Sequence, residues 1–156
     1  MGWHRRALHV NLTSRECRVE EIPEHWLQQY LGVRGLATRY MTELMDPATD
    51  PMSPDNVMIF ATGPLTGTSA STGGRFGVVT KGPLTNAIAC SNSGGKFGAE
   101  LKLAGYDLVI LRGRADTPVY LHIHDDTLSI RAACGLWGSP PGRLRTCLSA
   151  CTRSYP

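Results

Sequence analysis

Two stretches of this chain share a pattern that could hold an anionic ligand. Gly63-Pro64-Leu65-Thr66 leads to Gly73-Gly74-Arg75-Phe76, and Gly82-Pro83-Leu84-Thr85 leads to Gly94-Gly95-Lys96-Phe97. Each opens on a turn signal and closes on two glycines, a cation and a phenylalanine. Glycines let a backbone approach a ligand closely and leave amide N–H groups unobstructed, while the cation answers negative charge. Arg75 supplies a guanidinium suited to bidentate phosphate contact, and the Asn92 amide offers both a donor and an acceptor to a heterocycle edge. Ser91-Asn92-Ser93-Gly94-Gly95 precedes a predicted helix, whose dipole favours an anion at its start. The chemistry suggested is a cradle for a phosphorylated cofactor. The competing reading is a set of tight hairpin turns, since neither G-x4-G-K-[ST] nor G-x-G-x-x-G between strand and helix is present.

Other groups carry less. His122-x-His124 puts two imidazoles on one face of a predicted strand, but without a third ligand an exposed strand face is the simpler reading. Cys147-x3-Cys151 hints at a metal or cluster pair, yet two thiolates cannot complete a four-ligand site. Glu20-Glu21 and Asp125-Asp126 are sequence neighbours whose side chains diverge on strands, which reads as solvated charge. No Ser-His-Asp or Cys-His arrangement is supported.

The elements that must position the glycine segments follow from periodicity. Ala7–Leu12 and Cys17–Ile22 alternate around a turn at Thr13-Ser14-Arg15, a predicted hairpin. Pro23 suits a helix start, with Trp26, Leu27, Tyr30 and Leu31 on one face, and a second helix is expected from Leu36 to Met45. The proline-rich stretch from Asp46 to Asp55 reads as a loop. Strands are expected at 57–61, 76–80 and 87–90, and a helix over 95–104 that ends at Gly105. Residues 108–111, 119–123 and 128–131 read as a meander. Strands outnumber helices without alternating with them, so the expected class is α+β, mainly antiparallel β-sheets with a few helices packed on them.

Length and composition bound the function. At 156 residues, 42% hydrophobic and 19% charged, the chain has room for one ordinary globular domain. No apolar run approaches the roughly 20 residues that span a bilayer, and the N-terminus lacks a signal peptide's apolar core, so a cytoplasmic address and no membrane partner are expected. The net charge of +3 comes from the end of the chain: residues 139–156 hold Arg143, Arg145 and Arg153 and no acid, leaving 16 − 3 = 13 basic residues against 13 acidic ones. A neutral body argues against nucleic acid as a partner. Five cysteines argue against a disulfide framework. Residues 139–156 contain three prolines and no hydrophobic period, and read as disordered.

The glycine segments and their neighbours resemble a known family. Gly63-Pro-Leu-Thr-Gly-Thr-Ser-Ala70, Thr72-Gly-Gly-Arg75, Val79-Thr-Lys81 and Asn92-Ser-Gly-Gly-Lys-Phe-Gly-Ala-Glu-Leu-Lys-Leu-Ala-Gly-Tyr-Asp107 closely resemble the N-terminal domain of the aldehyde:ferredoxin oxidoreductases. Leu31-Gly-Val-Arg-Gly-Leu-Ala37 and Met45-Asp-Pro47 extend the likeness, which runs from the first hairpin to Leu136-Trp-Gly138. The resemblance implies a tungsten (or molybdenum) bis-pterin cofactor and a [4Fe–4S] cluster, oxidation of a small aldehyde to a carboxylic acid, ferredoxin as electron acceptor, and a homodimer. It implies that Arg75 contacts the pterin phosphate and that Asn92 and Gly94 contact the tungstopterin, with Gly74, Ser93, Gly95 and Lys96 as neighbours in the same motifs. Two pterin dithiolenes hold the metal in that family, so no protein metal ligand is expected here, and because the family's acid/base residues fall in its later parts, no catalytic residue is expected either.

Departures from the family shape the expectation. Members run to several hundred residues, and the later glycine loop, the C-x2-C-x3-C cluster ligands and the acid/base residues have no counterpart here. Residues 1–138 are expected to form an incomplete tungstopterin-binding domain, and 139–156 a tail foreign to the family, as a shifted reading frame or a truncated gene would produce. The chain alone is expected to be inactive. Its rivals are a non-catalytic pterin- or nucleotide-binding module and a degenerate gene product.

Overall fold

The computed structural model describes residues 2–71 and 73–140. The N-terminal hairpin forms as the alternation predicts, with β1 (Arg6–Asn11) antiparallel to β2 (Glu16–Glu21). Helix α1 (Glu24–Tyr30) starts against Pro23, whose carbonyl accepts the Trp26 N–H at 3.0 Å. Helix α2 (Val33–Leu44) buries Leu36, Ala37, Tyr40 and Met41, a stripe at helical spacing. Strands β3 (Val57–Thr62), β4 (Phe76–Lys81) and β5 (Ile88–Ser93) follow, then helix α3 (Phe97–Leu103), then β6 (Leu108–Arg112), β7 (Val119–His124) and β8 (Thr127–Ala132).

Six strands make one sheet in the order β2-β1-β6-β3-β4-β5, and β7-β8 is a separate hairpin. Among the described residues only the β1–β6 pairing is parallel; the others are antiparallel. The α+β class holds, but the expected meander does not. Strand β6 leaves β7 and β8 and inserts between β1 and β3. Its first three residues, Leu108, Val109 and Ile110, are all buried, as a strand covered on both faces requires.

The sheet separates two cores. On one face Ala7, Ile59, Ala61, Leu108 and Ile110 pack under Leu27, Leu36, Ala37, Tyr40 and Met41 of α1 and α2. On the other, Leu8, Val10 and Val109 pack with Leu101 and Tyr106, and with Leu121, Ile123, Leu128 and Ile130 of the β7–β8 hairpin. Each fully buried Leu or Ile contributes about 1.5–3 kcal/mol relative to exposure. The hairpin is tied down by Arg6, whose guanidinium lies 4.8 Å from the centre of the Tyr106 ring and bonds Asp126 at 2.7 Å.

A buried ion pair fixes α3. Lys102 Nζ bonds Asp107 Oδ1, and both side chains are sealed from solvent. Asp107 Oδ2 also accepts the Arg5 backbone N–H at 2.6 Å, and its carbonyl accepts the Thr62 N–H and hydroxyl, each at 3.0 Å. One residue, Asp107, thereby joins the helix and the start of β1 through its carboxylate and the end of β3 through its carbonyl, where the first glycine loop begins.

Candidate cofactor-binding site

The two glycine segments are alike in sequence and different in structure. The first is a single loop at the end of β3. Gly63 N–H donates to Thr66 Oγ1 at 3.0 Å, Thr66 Oγ1 donates to the Arg75 carbonyl at 3.1 Å, and Gly67 N–H donates to the Gly73 carbonyl at 2.8 Å. The second is split. Gly82 to Ala87 closes the β4–β5 hairpin through Gly82 N–H to Ala87 O at 2.9 Å, at the far end of β4 from Arg75. Strand β5 then carries the chain back to Gly94-Gly95.

What meets is the pair of glycine doublets. A β-carbon at Gly74 would stand 2.7 Å from the Gly95 carbonyl oxygen, and one at Gly98 would stand 3.0 Å from the Gly74 carbonyl oxygen. Gly74 and Gly98 are therefore glycines of packing. Gly95 has φ +93°, the left-handed region that favours glycine. Gly94 differs from all three: its φ lies outside that region and a β-carbon there would meet nothing within 4 Å. Nothing among the described residues requires glycine at 94.

The expectation that Asn92 and Ser93 lie in a loop is corrected. Both are in β5, where Asn92 pairs with Gly77 and Ser93 with Phe76. Cross-strand pairing with β4 extends the strand three residues past Cys90, overriding the weak strand propensity of Asn and Ser. The register sorts the site residues by face. Asn92 shares the face of Gly77, whose missing side chain leaves room for Val33 of α2; a β-carbon at Gly77 would stand 2.6 Å from Val33 Cγ1 and 3.6 Å from Asn92 Oδ1. The register ends at the pair Phe76–Ser93, and Arg75 and Gly94 are the next residues of the two chains beyond it. Ser93 points to the other face, with the Phe76 ring tilted 59° against Phe97 at 4.7 Å and Phe97 edge-on to Phe60 at 5.7 Å. That aromatic cluster holds the start of α3 beneath the doublets. The helix has only seven residues, so its dipole adds little to the anion site expected from sequence.

Arg75, Asn92, Gly94 and Lys96 are exposed, and the Arg75 and Lys96 side chains have no bonded partner among the described residues. Both cations are free to answer a ligand. Lys81, by contrast, is buried and spends its ammonium on the Pro47 and Thr49 carbonyls at 2.6 Å each. It walls an apolar cleft of about 310 Å³ with Met41, Met45 and Ile88, which lies at the opposite end of β5 and includes none of the candidate residues.

The remaining sequence candidates fall elsewhere. His122 and His124 stack with ring planes 3° apart on the outer face of β7, and burial together with Arg131 and His124 holds the His122 imidazole below the ordinary histidine range. Among the described residues no three His, Cys, Asp or Glu side chains come together to hold a metal ion. No described helix is long and apolar enough to cross a membrane. Cys147, Cys151 and nearly all of the expected tail lie outside the described residues.

One end of the mixed sheet brings together the two glycine doublets, the Arg75 guanidinium and the Asn92 amide. The chain's family follows from comparison with known proteins. Residues 7–151 match the model of the aldehyde ferredoxin oxidoreductase N-terminal domain, and the chain belongs to the aldehyde ferredoxin oxidoreductase family. It is 53% identical over 137 residues to a tungsten-containing aldehyde ferredoxin oxidoreductase of Pyrococcus abyssi, covering 88% of this chain and 23% of that protein. The corresponding Pyrococcus furiosus protein is also 53% identical, over 133 residues. An aliphatic sulfonate oxidoreductase WOR-like subunit of the same organism is 37% identical over 140 residues. Among solved structures, the active-site complex BamBC of benzoyl coenzyme A reductase with 1,5-dienoyl-CoA superposes with a TM-score of 0.93 at 33% identity, over 97% of this chain and 23% of that one. The chain thus spans about a quarter of the length of the relatives it matches.

Proposed function

We propose that the end of the sheet bearing Arg75, Asn92 and Gly94 seats a tungstopterin. Arg75 takes the phosphate through its guanidinium, Asn92 presents its amide to the heterocycle, and Gly94 lets the ligand reach the backbone. Gly74 and Gly95 hold the two strands' ends together beneath the ligand and Lys96 flanks it, while Ser93, whose side chain lies on the opposite face, meets it through its backbone. The observation that carries this reading is Gly94, a glycine with no neighbour within 4 Å and no conformational need, beside a cation without a partner. The donor set suits a pterin-held metal, because the ligand offers phosphate and ring edges to the protein and brings its own sulfur ligands to the metal.

When bound, the bis-pterin tungsten centre supplies the two-electron redox chemistry that turns an aldehyde and water into a carboxylic acid. This chain's part is to bind, to orient and to answer charge. Electron transfer through a [4Fe–4S] cluster to ferredoxin, a cytoplasmic setting and pairing into a homodimer complete the reading, with cluster ligands and acid/base groups supplied by sequence that this chain does not contain. Residues 1–138 are the cofactor-binding part, although the family match runs on to residue 151.

The chain alone is then a cofactor seat without a catalytic cycle. Purified after expression with tungstate, it should show pterin fluorescence on oxidative release and no aldehyde-dependent reduction of viologen. Viologen reduction at rates typical of an enzyme would contradict the division of labour, and pterin absent from protein that unfolds cooperatively would contradict the seat.

A further inference from the structure

A second group of polar side chains lies under the helices at the edge of the sheet opposite β5. In the β1–β2 register Ala7 pairs with Glu20 and His9 with Arg18, so His9 and Glu20 share the face on which Ala7 packs under α1 and α2. Tyr40 of α2 meets them there, its ring edge-on to His9 at 6.2 Å between centres. His9 Nε2 and the Tyr40 hydroxyl are both buried and make no hydrogen bond among the described residues, and Tyr40 as a whole is 2% exposed. Two buried polar atoms without partners, side by side, call for a third party that satisfies both.

The spacing fits a metal ion. His9 Nε2 stands 3.3 Å from Glu20 Oε2. Two ligand atoms, each about 2.1 Å from a tetrahedral zinc ion, stand about 3.4 Å apart along the edge of the tetrahedron. The Tyr40 hydroxyl, whose pKa is raised by burial and then by the negative charge of Glu20, lies within reach of the same carboxylate. The Glu20 side chain is 34% exposed, which lets water complete the shell.

We propose that His9, Glu20 and Tyr40 hold a divalent transition-metal ion of the zinc type, with water as the fourth ligand. The third protein ligand is a phenol, which a search for His, Cys, Asp and Glu alone passes over. The ion reverses the electrostatics that keep the hydroxyl protonated, so binding releases the Tyr40 proton to solvent. It ties α2 to the β1–β2 edge and stabilises the folded chain. Two cations oppose it: Arg18, which bonds Glu20 Oε2 at 2.9 Å, and Arg112, whose charge bears on His9. Arg18 is largely exposed and its pair with Glu20 is weak, so it yields Oε2 to the metal and keeps Oε1. Their charge sets the dissociation constant in the micromolar rather than the nanomolar range. The inference stands on β1, β2 and α2 and does not depend on the tungstopterin reading.

Titration of the metal-free 156-residue chain with zinc chloride tests it, read by ultraviolet difference absorption and by thermal unfolding. One ion per chain should bring up the absorption of a phenolate near neutral pH, raise the unfolding temperature by about 5–10 °C at a hundredfold excess over the dissociation constant, and be removed by EDTA. His9→Gln should weaken binding at least about tenfold. Tyr40→Phe should abolish the phenolate signal and weaken binding likewise; it takes away only an unpartnered hydroxyl, so the fold survives it. His122→Asn/His124→Asn, which removes the stacked imidazoles of β7, should leave the signal unchanged. The phenolate readout is blind to zinc held by thiols or by other imidazoles. Excess zinc without phenolate absorption, a signal that persists in Tyr40→Phe, binding that His9→Gln does not weaken, or a signal lost with His122 and His124 would each overturn the proposal.

Discussion

Gly74 and Gly95 touch through their backbones: a β-carbon on residue 74 would sit 2.7 Å from the carbonyl oxygen of residue 95. The contact closes the end of the β4–β5 ladder and leaves Gly94 facing open space. It separates glycines that the fold needs from one that it does not.

Alanine substitution should divide them. Gly74→Ala forces the strand ends apart and should cost about 1–3 kcal/mol of stability, read by chemical denaturation. Gly94→Ala should leave stability within about 0.5 kcal/mol, as a surface substitution away from special backbone does. Equal losses at both positions would show that Gly94 is structural after all.

The Lys102–Asp107 pair should dominate the stability of α3. Removing one partner strands a buried charge, so Lys102→Met should cost about 3–5 kcal/mol. Asp107→Asn on the Lys102→Met background should recover part of that loss, because no charge then remains inside. Losses that simply add across the double-mutant cycle would mean the two groups do not interact.

Acid should weaken the fold partly through His9. This imidazole packs edge-on to Tyr40 at 6.2 Å, and its Nε2 lies 3.3 Å from Glu20 Oε2 without forming a hydrogen bond. Burial pushes its pKa below the ordinary value, outweighing the opposing pull of Glu20. The folded chain therefore resists a proton that the unfolded chain accepts at about pH 6.5. Stability is full above that value and falls as pH drops through it toward the lower folded pKa. Urea titrations at about pH 7.5 and about pH 5.5 should show the loss, and His9→Gln should flatten the slope. An unchanged slope in the variant would remove His9 from the account.

Much of this architecture was legible in the sequence, and the failures have physical causes. The N-terminal hairpin, α2 and the strand-rich class follow from period and turn chemistry, which are local. The place of β6 is not local: Leu108-Val109-Ile110 read as one more strand of a meander, and only its continuous apolar run signalled burial on two faces. Asn92 and Ser93 looked like loop residues because strand pairing with Phe76 and Gly77 is invisible to propensity. The duplicated glycine segments are alike in sequence, but their structural likeness ends at the doublets. Sequence could not distinguish Gly74, which packs, from Gly94, which does not; that distinction exists only in the distances.

The most direct test of the central claim is the tungsten and pterin content of the 156-residue chain after expression with tungstate, compared with Arg75→Ala and Gly94→Val. Tungsten and pterin together in the parent protein, reduced at least about tenfold in both variants while their unfolding curves stay unchanged, is the predicted result. Metal and pterin contents that do not respond to either substitution would contradict the seat at Arg75 and Gly94.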